Sequence, residues 1–187
     1  FESYVGSIIS TIALASAAIY TDQQAVLPLL LAGAGIIAAI LGTFIVRSSE
    51  RANFGQLLWA LRRGIFASGI FLAIFALVII LVFEMDLRWF WSILSGLLAG
   101  IIIGLATEYY TSYDYKPTQQ ISESSQTGAA TVIISGIATG MFSTVIPVIA
   151  ISITILIAFG LSGFYGVALA GVGLLSTLGI TLATDAY

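Results

Sequence analysis

The chain has 187 residues, of which 59% are hydrophobic and only 8% charged, with a formal net charge of −3 and a mean hydropathy of +1.11. A soluble domain carries about 25% charged residues, so this composition excludes an ordinary water-soluble globule and points to an all-α, polytopic transmembrane helix bundle. The absence of cysteine and histidine excludes disulfides, thiol nucleophiles and thiolate- or imidazole-held metals, leaving only hard metals on oxygen ligands. No basic block suggests nucleic acid as a partner.

Six stretches are long and apolar enough to be expected as spans. In chain order they cover about 2–20, 26–46, 64–83, 90–110, 128–161 and 164–187. The fifth is too long to cross one bilayer straight, and Pro147 is its expected kink. Arg47, Arg51, Arg62, Arg63 and Lys116 fall in alternate connections, whereas Arg88 lies in another. This bias places the 48–62 and 112–127 loops on the cytoplasmic side and the turns near Asp22, Asp86 and Ser162 outside. The spacing of Phe54, Leu57, Leu58 and Leu61 reads as an amphipathic helix lying on the cytoplasmic surface. Trp89, Phe90 and Trp91 fit an aromatic belt, and Tyr109, Tyr110, Tyr113 and Tyr115 fit interfacial anchors. The start lacks both an initiator methionine and a basic leader, and the end is abrupt, so the chain reads as a piece of a longer one.

Gly96, Gly100 and Gly104 form one small-residue ridge, and Gly136 with Gly140 another; such ridges let membrane helices approach closely. On a helical wheel, Glu2, Gly6, Ser10, Ala13 and Ala17 share one sector of the first span. That sector is expected to face the bundle interior, with Tyr4, Val5, Ile8, Ile12 and Ile19 opposite, toward apolar neighbours. A charge within the hydrocarbon costs at least ~2.5 kcal/mol. Glu2 therefore marks either an ion path or simply the membrane interface. Gly173, Thr177, Thr181 and Asp185 recur every four residues in the last span. Asp185 could be a hard-metal ligand or a helix-end charge, the latter being electrostatically poor at a C-terminus. From residues alone, a transporter, a channel and a membrane enzyme all remain open.

Several stretches together resemble the membrane-integral pyrophosphatases: FESYVGS at 1–7, TEYYTS at 107–112, TGAAT at 127–131, GMFSTVIPV at 140–148 and LATDAY at 182–187. The resemblance covers the whole chain. It implies an internal fragment, six helices of a subunit with about sixteen, assembled as a homodimer in a prokaryotic plasma membrane with its hydrolytic centre on the cytoplasmic side. It implies coupling of magnesium-pyrophosphate hydrolysis to ion export, with K+ as an activator. By resemblance Glu2 is an ion-gate carboxylate and Ser3 its neighbour in the motif. Asp185 matches the first aspartate of an acidic centre, with a catalytic and Mg2+-binding role shared with residues outside this chain. The FESYVGS form is similar to that of sodium pumps; a proton pump, or a secondary transporter or channel without hydrolysis, is the alternative. Val132 stands where many members have asparagine, so the resemblance carries no polar role over to that position.

Overall fold

The computed structural model describes residues 2–17, 22–47, 54–177 and 179–181. The described elements are helical: α1 (Glu2–Ala17), α2 (Asp22–Thr43), α3 (Phe54–Val82), α4 (Leu87–Thr111), α5 (Lys116–Ser124), α6 (Ala129–Ser143) and α7 (Val145–Leu175), with a 3-10 turn at Ser125–Thr127. Among the described residues four runs are long and apolar enough to span a membrane: Gln23–Thr43, Gly55–Val82, Leu87–Thr127 and Ala129–Thr181. The described part of α1 has 16 residues. The fifth and sixth expected spans both fall within the run Ala129–Thr181, and the chain reverses at the expected boundary between them.

That reversal sits inside α7, where Ser162 (φ −146°, ψ 17°) and Gly163 (φ 63°, ψ −151°) leave helical geometry. Gly163 supplies the positive φ that a side chain would resist. A Cβ added to Gly166 would lie 2.5 Å from the Ala158 carbonyl oxygen. Residues eight apart in a straight helix are separated by about 12 Å, so the segments on either side of this corner, 154–161 and 164–175, are folded against each other. A second break, at Thr144, separates α6 from α7. Pro147 explains it: the proline has no N–H to bond Ser143, and its ring crowds that carbonyl.

α3 differs from the surface helix expected before the third span. Phe54 onward is continuous with the span as one 29-residue helix, about 43 Å long at 1.5 Å per residue. Nothing between Leu57 and Arg63 breaks a helix, so the first turns extend the span instead of lying apart. The 112–127 connection is likewise more ordered than a polar loop. Pro117 starts α5 at a position where its missing N–H has no cost.

The chain divides into two units, residues 1–101 with 154–187, and residues 102–153. In the first, the second arm of α7 is the central helix: Tyr165, Leu169 and Val172 are buried with Ala15 of α1, Leu27 and Leu31 of α2, Ala76 and Ile80 of α3, and Ile93 of α4. Glycine makes these approaches possible. A Cβ on Gly96 would collide with the Ala170 backbone, and one on Gly100 would stand 2.7 Å from the Leu174 oxygen. Gly104, Gly136 and Gly140 of the predicted ridges meet no neighbour among the described residues.

A proline that the span pattern conceals lies within α2. Pro28 is fully buried and cannot donate to the Gln24 carbonyl, its i−4 acceptor. The Tyr165 hydroxyl donates to that carbonyl at 2.7 Å. Trp89 packs edge-on against the same tyrosine ring, centroids 5.4 Å apart, so it belongs to the core as much as to an aromatic belt.

In the second unit, hydroxyls stitch α5 to α6. Thr131 donates to the Ser124 and Gly128 carbonyls at 3.0 and 2.7 Å, and lies 2.7 Å from the Thr127 hydroxyl. Gly128, at φ 128°, makes the corner between them. Ile133, Ile134, Ile137, Met141 and Phe142 are exposed on α6, a surface suited to lipid or further helices and unsuited to water.

Candidate functional site

The first helix sets the geometry of the site. Its packed face is Tyr4, Ser7, Ile8, Thr11, Leu14 and Ala15. The Thr11 hydroxyl donates to its own helix at Ser7 (2.7 Å) and across to the Ala168 carbonyl (3.3 Å). Three residues on, a Cβ at Gly171 would stand 3.2 Å from the Ser7 hydroxyl oxygen. Tyr4 lies beside Ser176. Its hydroxyl is buried with no hydrogen-bond partner at bonding distance among the described residues, while the Ser176 hydroxyl donates to Val172. The pairs 11–168, 7–171 and 4–176 descend one helix as they climb the other. α1 and the second arm of α7 are therefore antiparallel, and the start of α1 lies at the end toward which the chain runs through Ser176 and Thr181.

Glu2 and Ser3 open α1 at that end, and both are exposed. A glutamate in the first turn is favoured by the helix dipole. The stripe expected to face the bundle interior is exposed among the described residues: Glu2, Gly6, Ser10, Ala13 and Ala17 are all exposed, and Gly6 has nothing within 4 Å. The bulky residues Tyr4, Ile8 and Leu14 fill the seam instead, with Thr11 and Ala15 between them. The wheel located the small polar stripe but could not say which neighbours this chain would supply.

The stripe in the last span behaves differently. Gly173 is pressed against Ile93, and Thr177 is buried. Thr181 donates back to the Thr177 carbonyl. Asp185 lies outside the described residues, so its position relative to Glu2 is not part of this geometry. Among the described residues no group of three acids converges to hold a metal ion. These residues by themselves do not fit a magnesium site. Val132 is a half-buried apolar residue in the first turn of α6.

The family described as inorganic H+ pyrophosphatase matches residues 1–187. The chain belongs to that family. It is 45% identical, over its whole length, to a protein of Bacteroides thetaiotaomicron provisionally named a K(+)-stimulated pyrophosphate-energized sodium pump. A Clostridium tetani protein of the same provisional name is 42% identical, again over the whole chain. A K(+)-insensitive pyrophosphate-energized proton pump of Methanosarcina mazei is 38% identical over the whole chain. This chain spans 28%, 28% and 29% of those relatives' lengths. With its long apolar helices it is part of an integral membrane protein, and its family contains pumps for both ions.

Sequence reasoning missed Pro28 and Tyr165, the pair that joins α2 to the central helix. The signal was available in part: a proline seven residues into an apolar helix leaves a carbonyl to be satisfied. Its partner, 141 residues away, could not be read from spacing.

Proposed function

We propose that the chain is the central part of a pyrophosphate-energised ion pump, which couples hydrolysis of magnesium-pyrophosphate to export of Na+ across a prokaryotic plasma membrane. The observation that carries the reading is the family match over the entire chain, by sodium-pump relatives of 45% and 42% identity. The architecture assigned is six spans of a subunit with about sixteen, in a homodimer with a cytoplasmic active side. K+ is the activator suggested by the names of those relatives.

Glu2, with Ser3, is assigned to the ion gate, and Asp185 to the acidic centre. Support for Glu2 comes from its exposure. A carboxylate at the head of a small, polar, exposed stripe is disfavoured against hydrocarbon by at least ~2.5 kcal/mol. It is instead suited to face further protein or water. The antiparallel pairing of α1 with the second arm of α7 supports placing Glu2 at the end where the chain continues to Asp185. One carboxylate cannot neutralise a magnesium-pyrophosphate complex; the remaining ligands of Mg2+ are assigned to segments outside this chain.

The test is phosphate release from pyrophosphate by the full-length protein, with and without Mg2+. Magnesium-dependent hydrolysis by the whole protein, and none by residues 1–187 alone, is the expected result. No hydrolysis by the full-length protein would favour a transporter or channel instead. The proton-pump reading is supported by the 38% identical Methanosarcina mazei relative, and ion-uptake assays separate the two.

A further inference from the structure

The most basic corner of the chain lies away from the α1–α7 seam, where α2 ends and α3 begins. Between Asp22 and Glu84 the sequence holds Arg47, Arg51, Arg62 and Arg63 and one acid, Glu50; Glu50 and Arg51 are outside the described residues. Val46 packs directly on Gly64, and a Cβ on Gly42 would stand 3.0 Å from the Gly64 carbonyl oxygen. This backbone approach brings Arg47 and Arg63, the residues next in chain to that contact, to one corner. Both are exposed, and neither forms an ion pair among the described residues. The neighbouring Arg62 guanidinium lies 5.7 Å from the ring centroid of Trp59, which stands one helical turn before Arg63. Trp59 is 57% exposed, and Phe44, which follows α2, is 73% exposed.

Two chemistries therefore meet at this corner. Guanidinium groups pair with phosphate oxygens in a bidentate fork. An exposed tryptophan and phenylalanine at the end of two apolar spans present a surface for hydrocarbon, with the indole suited to the headgroup level. A free anion would use the first surface only; a phospholipid uses both. We propose that the α2–α3 corner is a binding site for one anionic phospholipid, its phosphate held by Arg47 and Arg63 and its acyl chain lying along Phe44 and Trp59. The inference needs the chain to be in a membrane; it does not depend on hydrolysis or on which ion is moved.

The test is native mass spectrometry of the full-length protein, delipidated in neutral detergent and titrated with phosphatidylglycerol or phosphatidylcholine. Phosphatidylglycerol is expected to bind more tightly than phosphatidylcholine. Arg47→Gln/Arg63→Gln is expected to weaken it about thirtyfold, from the usual contribution of two arginines at an anionic surface. Arg47→Lys/Arg63→Lys, which keeps charge but loses the fork, should weaken it less and guards against misfolding of the neutral variant. Equal binding of the two lipids by the unmodified protein would overturn the proposal. So would unchanged phosphatidylglycerol affinity in a folded Gln variant. Displacement of the lipid by millimolar inorganic phosphate would also overturn it, by marking a free-anion site.

Discussion

The contact between Tyr165 and Gln24 invites a double-mutant cycle. Pro28 deprives the Gln24 carbonyl of its helical donor, and the Tyr165 hydroxyl donates to it at 2.7 Å from the central helix. Tyr165 is only 1% exposed, so water cannot easily replace that bond. Loss of one hydrogen bond leaving a buried acceptor costs about 1–3 kcal/mol, although interhelical bonds in membranes average nearer 0.6 kcal/mol. Tyr165→Phe removes only the hydroxyl and keeps the ring against Trp89, so a destabilisation of about 1 kcal/mol is expected. In a Pro28→Ala background the backbone N–H gained at that position can bond Gln24 within α2. The same Tyr165→Phe change should then cost markedly less, giving a coupling near ~1 kcal/mol. Reversible unfolding of the full-length protein in mixed micelles, followed by tryptophan fluorescence, measures all four corners of the cycle. Equal costs of Tyr165→Phe in both backgrounds would refute the reasoning, because the hydroxyl would then not be replacing the proline's missing donor.

The glycine ridge of α4 predicts a graded series. Gly96→Ala should destabilise by about 1–3 kcal/mol, since its methyl meets the Ala170 backbone and not a movable side chain. Gly100→Ala should cost less, and Gly104→Ala, with open space around it, should be neutral or stabilising by up to about 1 kcal/mol through helix propensity. The same unfolding assay reads the order, and a harmless Gly96→Ala would contradict the close approach. Glu84, which closes α3 at φ 53°, carries a left-handed strain; Glu84→Gly should raise stability by up to about 1 kcal/mol, and a drop would argue that the side chain has a stabilising contact.

What was legible in the sequence was set by local chemistry. Apolar length announced the helices, and Pro147 announced a break that the structure sets three residues earlier, at Thr144. The reversal between the arms of α7 falls at Ser162 and Gly163, where a small polar residue meets one able to take positive φ. Rotation of a helix about its own axis was not legible. The Glu2–Ala17 stripe is exposed among the described residues, and a wheel contains no information about which neighbours exist. The ridge held in part: Gly96 and Gly100 meet α7, whereas Gly104, at the same spacing, meets no described neighbour. The amphipathic pattern before the third span identified a helix correctly but could not show that it runs unbroken into α3. For the site, the motifs named Glu2, Ser3 and Asp185 through resemblance, and the structure adds the antiparallel seam between α1 and the second arm of α7.

Pyrophosphate-driven 22Na+ uptake by the full-length protein in sealed, inverted vesicles tests the central claim most directly. Uptake in the unmodified protein that is lost in Glu2→Ala is the result this account predicts. Normal sodium uptake by the Glu2→Ala protein would contradict it.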